Sequence, residues 1–182
     1  IRQENPNTLL FDAGDIFQGT PYFNYFGGEL EFKMMSKLGY DGATIGNHDF
    51  DNGIGGLEVQ LPNAKFDFII SNYDFTDTVM DGRTGRFKIY ETGGVKVGVF
   101  GLGIRLKGLV DPALYKETKY LDPVEITQDM TKFLREEQHC DLVIAEEGAR
   151  SDVGSDVTGC RGARRGSSRT TRRWCGWGWI RA

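Results

Sequence analysis

The sequence is poor in the residues that staple a chain or span a bilayer. It holds 3 Cys in 182 residues, too few for a disulfide framework, and it has no run of about 18 apolar residues, so no segment is expected to cross a membrane as a helix. No GxGxxG occurs, which leaves the glycines of 98–103 as close-packed strand glycines rather than a dinucleotide-binding turn. Only two histidines are present, His48 and His139. The chain starts at Ile1 without a basic or apolar leader, so a removed leader or a fragment is expected. At 39% hydrophobic and 26% charged residues, the composition excludes collagen-like, coiled-coil and wholly disordered chains. A chain of this length can bury one sizeable core.

The net charge of −4 conceals two unlike parts. Residues 1–147 carry 14 Lys and Arg against 24 Asp and Glu, a balance of −10, whereas residues 148–182 carry 8 Arg, no Lys and 2 Asp, a balance of +6. The second part contains every Trp together with Cys160 and Cys175, while every Lys, Phe and Met precedes it. Arg, Gly, Trp, Cys and Ser make up 24 of its 35 residues, as a GC-rich gene read out of frame would give. Its apolar residues recur with neither strand nor helix period, which argues against a packed sheet or helix there. The expectation is a folded unit over 1–147 and an out-of-frame or disordered basic tail over 148–182. A genuine basic arm is the alternative, and no nucleic-acid partner is expected.

In the body, short apolar runs alternate with amphipathic segments. Thr8–Ala13, Ala43–Ile45, Phe66–Ser71 and Asp141–Ala145 read as strands, and Arg86–Glu91 with Val95–Leu102 reads as a hairpin turning at Gly93-Gly94. A helix is expected from Gly28-Glu29, with Leu30, Met34 and Leu38 as its stripe and Gly39 as its stop. A second has the clearest start in the chain: Asp122 as cap, Pro123 at its first position, Glu125 at its third, then Ile126, Met130, Phe133 and Leu134 on one face. Cys140 reads as a buried small hydrophobe, and His139 and Glu136-Glu137 as helix-end residues. The order implies a layered α/β domain, in which ligands gather beyond the carboxyl ends of strands.

Two loops occupy that position. Gly14-Asp15-Ile16-Phe17-Gln18-Gly19 follows the first strand, and Gly46-Asn47-His48-Asp49-Phe50-Asp51-Asn52-Gly53 follows Ile45. Glycine beside an acid lets the backbone turn sharply and aim the carboxylate. Carboxylate and amide oxygens suit hard divalent cations, and imidazole adds proton transfer near neutral pH. A His three residues before an Asp can form a base and orienter pair. Tyr22, Phe23, Tyr25 and Phe26, just after the first loop, are expected chiefly to pack, with a substrate mouth as the alternative.

Together these loops resemble those of the metallophosphoesterase (calcineurin-like phosphoesterase) superfamily, and within it the bacterial 5'-nucleotidases. The residues that carry the resemblance are LLFDAGDIFQGTPYFNYFGG at 9–28 and LGYDGATIGNHDFDNG at 38–53, with SNYDF at 71–75 and CDLVIA at 140–145 less specific. The resemblance implies an αββα sandwich, incomplete here, with two divalent ions (Mn, Zn, Mg, Fe or Co) between strand ends. It makes Asp15 the bridging ligand and Asn47 a ligand of the second ion. His48 then stabilises the phosphoryl transition state and protonates the leaving oxygen, and Asp51 orients its imidazole. The implied reaction is hydrolysis of a small phosphoester, foremost a nucleoside monophosphate, to nucleoside and phosphate. Family habit places such enzymes in the periplasm or at the cell surface.

The resemblance also implies ligands that these residues do not supply: an Asp-x-His before Thr8, a His soon after the strand at 141–145, and a later Gly-His-x-His. With two ligands kept, residues 1–147 read as a partial metallophosphoesterase domain in an inactive fragment. The alternatives are a non-catalytic binding module or pseudoenzyme with a basic tail, and a monometallic or phosphodiester-specific relative.

Overall fold

The computed structural model describes residues 2–18, 21–148 and 179–181. Its strands in chain order are β1 (Thr8–Asp12), β2 (Gly42–Ala43), β3 (Asp67–Phe68), β4 (Tyr73–Asp74), β5 (Phe87–Thr92), β6 (Val95–Leu102), β7 (Lys119–Tyr120), β8 (Leu142–Glu147) and β9 (Trp179–Arg181). Between them run α1 (Pro21–Phe26), α2 (Glu29–Leu38), α3 (Gly53–Gln60), α4 (Pro112–Tyr115) and α5 (Pro123–Lys132).

Two sheets face each other. One has the order β3-β2-β1-β9 and the other β5-β6-β8, with β4 and β7 forming a separate antiparallel pair. β1, β2 and β3 run parallel, as do β6 and β8, whereas β5 and β6 are the expected hairpin. Leu9 and Phe11 of β1, Val97 and Val99 of β6 and Ile144 of β8 bury one another between the sheets. The Phe11 ring meets Tyr90 edge-on at 5.3 Å. Leu10, pointing the other way along β1, joins Phe32 and Met35 of α2 and Ile54 and Leu57 of α3 in an outer core. On the far side, Ile126 and Met130 of α5 and Leu134 beyond it cover Phe100, Leu102 and Val143. The layers are therefore helix, sheet, sheet, helix, which is the expected αββα sandwich.

Local chemistry sets the element ends. Asp122 Oδ1 accepts the N–H of Val124 at 2.8 Å and of Glu125 at 3.2 Å, satisfying two of the four free donors at the start of α5. Gly39 ends α2 in the left-handed conformation at φ 77°, with Tyr40 N–H returning to Met35 O at 3.1 Å. Phe32 is fully buried, stacks on Phe17 at 4.9 Å and tilts against Phe68 at 5.1 Å. Truncating it to Ala would cost about 3–5 kcal/mol.

Four expectations need correction. The stripe of α2 is not its buried face: Met34 and Leu38 are exposed, and Phe32 and Met35 face the core. Positions spaced by four drift around a helix, and aromatic stacking on Phe17 and Phe68 selects the neighbouring face. The strand expected over Phe66–Ser71 is cut to Asp67–Phe68, because Ile70 N–H turns to Gly85 O and Ser71 N–H to Gly101 O, carrying the chain toward the second sheet. Tyr22, Tyr25 and Phe26 do not pack; they stand exposed on α1, and only Phe23 is buried. Finally, the tail does contribute to a sheet, since Trp179–Arg181 pair antiparallel with Thr8–Leu10. Apart from Gly148, the rest of the expected tail, Cys160 and Cys175 included, lies outside the described residues. Among the described residues no helix is long and apolar enough to cross a membrane.

Cys140 is buried as expected, and its Sγ would lie 3.0 Å from a Cβ on Gly98. That close approach, and the one at Gly101, where a Cβ would strike Ile69 O, explain the strand glycines. His139 and the Glu136-Glu137 pair are exposed beyond α5.

Candidate active site

β1 and β2 are parallel neighbours, so their carboxyl ends open on the same side and release the two loops next to each other. The contact is intimate. A Cβ on Gly14, which has φ 94°, would lie 2.5 Å from Gly46 N, and a Cβ on Gly46 would fall on Asp15 Oδ1. Both positions therefore need glycine for loops this close.

Three of the four expected site residues, Asp15, His48 and Asp51, are linked by hydrogen bonds. Asp15 Oδ1 accepts the backbone N–H of His48 at 3.0 Å, tying the first loop's carboxylate to the second loop. His48 opens a short 3-10 turn, His48–Phe50, which places its Nδ1 3.2 Å from Asp51 Oδ2. Asn47 lies just before that turn, half-buried like Asp15 and His48. His139 stands apart, exposed between α5 and β8 with φ 55°.

The residue that sequence reasoning passed over is Asp49. Its side chain is fully buried and accepts four backbone N–H bonds: Gly46 at 2.7 Å, Asp15 at 3.0 Å, Ile16 at 2.8 Å and Phe17 at 3.2 Å. Burial pushes its carboxyl up to about 7, the N–H of Gly46 draws it down, and the nearby Asp15 charge adds to the rise. Asp12, at the end of β1, is raised to about 6, chiefly by burial, against the pull of the Gly14 N–H and with a further rise from Asp15. Beneath the loops Phe50 meets Tyr73 edge-on at 6.0 Å, and the Tyr73 hydroxyl donates to Ile104 O at 2.5 Å.

Where the resemblance implies a His after the last strand of the body, the chain has Gly148. Its N–H bonds Leu102 O at 2.9 Å, and a Cβ there would lie 2.9 Å from Ala13 O and 3.7 Å from Gly46 Cα. The strand thus delivers this position to the rim of the two loops without a side chain. Asp15 and Asn47 fit a divalent cation in kind, as hard oxygen donors on facing loops. Among the described residues no group of three or more His, Cys, Asp or Glu gathers around them.

A family model for calcineurin-like phosphoesterases matches residues 1–159. The chain belongs to the calcineurin-like phosphoesterase family. The match runs past residue 147, where the composition changes. Among its relatives, the snake venom 5'-nucleotidase of Naja atra is 38% identical over 133 residues, which cover 70% of this chain and 25% of that protein. The 5'-nucleotidase of Vibrio vulnificus is 31% identical over 151 residues, or 80% of this chain and 26% of that protein. The solved NAD nucleotidase of Haemophilus influenzae superposes with a TM-score of 0.76 at 27% identity, over 86% of this chain and 31% of its own. The resemblance read from the two loops is borne out, and it extends to animal as well as bacterial 5'-nucleotidases. The chain spans about a quarter of the length of these curated relatives.

Proposed function

We propose that the chain is the loop-bearing part of a metal-dependent phosphoester hydrolase that cleaves nucleoside monophosphates to nucleoside and phosphate. The observation that carries this reading is the chain of contacts from Asp15 Oδ1 to the His48 N–H and from His48 Nδ1 to Asp51 Oδ2. It puts a carboxylate, an imidazole and an orienting acid on one rim, between loops that the family model covers. The names of the relatives support a nucleotide as the substrate.

Asp15 and Asn47 would hold divalent cations of the Mn, Zn, Mg, Fe or Co class. Such ions, when bound, lower the pKa of a water and neutralise charge on the phosphate. The chain's own residues do the rest. With Nδ1–H donated to Asp51, His48 presents Nε2 to the substrate and is held in one ring orientation. As water oxygen bonds to phosphorus and the ester P–O bond breaks, protonated His48 gives its Nε2 proton to the leaving oxygen, so the products are an alcohol and phosphate. Asp51 stabilises the imidazolium before that transfer. A venom relative and a solved 5'-nucleotidase precursor support a secreted, periplasmic or surface setting.

The test is phosphate release from a nucleoside monophosphate and from a generic phosphomonoester by a protein that carries this chain, supplied with manganese or zinc. Release that falls about 10²–10⁴-fold in His48→Ala supports the reading. No release from either substrate with either metal would refute it.

A further inference from the structure

We propose that Asp49 is a positioning residue for Asp15, holding its backbone in the left-handed conformation that turns its carboxylate toward the second loop. The inference deepens the site described above, and its meaning for catalysis rests on the phosphoesterase reading.

Asp15 has φ 61°, a conformation disfavoured for a residue with a Cβ. Its own side chain does not cap that turn; Asp15 Oδ1 is used on the His48 N–H. What fixes the turn is the neighbouring loop. The consecutive N–H groups of Asp15, Ile16 and Phe17 converge on the two oxygens of Asp49, an inverted nest in which the anion is a side chain of the same protein. A fourth N–H, from Gly46, holds the same carboxylate from its own loop.

The arrangement is reciprocal. The first loop's carboxylate accepts an N–H of the second, and the second loop's carboxylate accepts three N–H groups of the first. Asp49 is fully buried and is one residue from His48 and two from Asn47, so it is not a group that meets substrate. Its effect must travel through the backbone at 15–17. If the N–H groups lose Asp49, the turn keeps only the Gly14 N–H on Asp12 Oδ1 and the packing of Phe17 beside it, neither of which bonds the N–H of Asp15, and the bond from His48 N–H to Asp15 Oδ1 is the first to go.

That bond gives a readout that loss of stability alone would not mimic, because His48 N–H does not touch Asp49. Amide hydrogen exchange would be followed by NMR on the full chain without metal, in wild type, Asp49→Asn, Asp15→Gly and the double variant. In Asp49→Asn the His48 amide should lose about tenfold in protection, as in Asp15→Gly, while Val99 and Phe100 of β6 keep theirs. In parallel, the shift in denaturation midpoint caused by Asp49→Asn should be smaller in the Asp15→Gly background, since glycine adopts φ 61° without strain. If Asp49→Asn is too unstable to study alone, the double variant should be measurably more stable than it. The proposal is overturned if His48 keeps its protection in folded Asp49→Asn, if β6 amides fall equally, or if the cost of Asp49→Asn is the same with glycine at 15. None of these outcomes depends on phosphate release, so failure of the hydrolase assay and failure of this inference are separable.

Discussion

Asp49 and Glu146 are both carboxylates drawn into the sandwich near strand ends, one below the paired loops and one on β8, and they live in opposite circumstances. Every bond that Asp49 can use is met by backbone N–H. Glu146 Oε2 is buried and has no hydrogen-bond partner among the described residues. Burial raises its carboxyl to about 9, and Asp12 nearby adds to the rise. Glu146 pairs in register with Gly101, and the face of Gly101 that lacks a Cβ looks onto Ile69 O and Thr44 Oγ1. The difference teaches that burial alone does not make an acid structural. Asp49 organises two loops because donors converge on it, whereas Glu146 is a cost that the sheet around it absorbs.

The largest expected effect tests the organised acid. Asp49→Ala strands four N–H groups, those of Gly46 and Phe17 buried and those of Asp15 and Ile16 half-buried, and should lose about 3–5 kcal/mol in denaturant unfolding. A loss below about 1 kcal/mol would break the contrast, because it would put Asp49 in the same class as a solvated acid. Next comes the floor under Glu146. Gly101→Ala drives a methyl into the Ile69 carbonyl and should cost about 3 kcal/mol by the same measurement.

Glu146→Gln should act the other way, gaining about 2 kcal/mol at pH 8, because the fold must keep the Glu146 carboxyl protonated at a pH where the unfolded chain has released the proton, and glutamine carries no such cost. The pH dependence fixes the sign. Glu146 titrates near 4.5 when unfolded and about 9 when folded, and Asp12 near 3.8 and about 6. The native state therefore binds protons that the unfolded state has released. Stability from these groups is complete below about pH 4 and drains away as pH rises toward 6 for Asp12 and toward 9 for Glu146, at about 1.4 kcal/mol per pH unit for each group within its window. Melting temperatures recorded across pH 5–9 should fall in wild type, whereas in Glu146→Gln they should flatten above about pH 7, once Asp12 and then Asp49 have titrated. Smallest is Asp122→Ala, remote from both acids, which should cost about 1 kcal/mol through the lost cap on α5, with no change in the pH profile.

The sequence disclosed what depends on neighbours in the chain. The cap at Asp122, the hairpin about Gly93-Gly94 and the placing of Asp15, Asn47, His48 and Asp51 just past strands all follow from local chemistry. Asp49 was hidden because an acid two residues after Asn47 and two before Asp51 looks like one more solvated loop residue. Its burial arises only when residues more than thirty positions earlier close over it. α3 was hidden for a different reason: Gly53, Gly55 and Gly56 weaken helix propensity, and Ile54 and Leu57 are too few to mark a periodic face before packing on the core. The shortened β3 reflects a competition between two sheets for the N–H groups of Ile70 and Ser71, which no single segment encodes.

The separation between Asp15 and Asp49, 34 positions, also has a meaning in time. At about 5–20 residues per second of synthesis, the first loop leaves the ribosome roughly 2–7 s before the acid that satisfies its N–H groups. During that interval the backbone at 15–17 can only be hydrated, and the left-handed turn at Asp15 has nothing to hold it. The Asp15 carboxylate is therefore aimed late, once β2 has docked beside β1, and the nascent chain passes through a stage in which it has its first strand but not yet the paired loops.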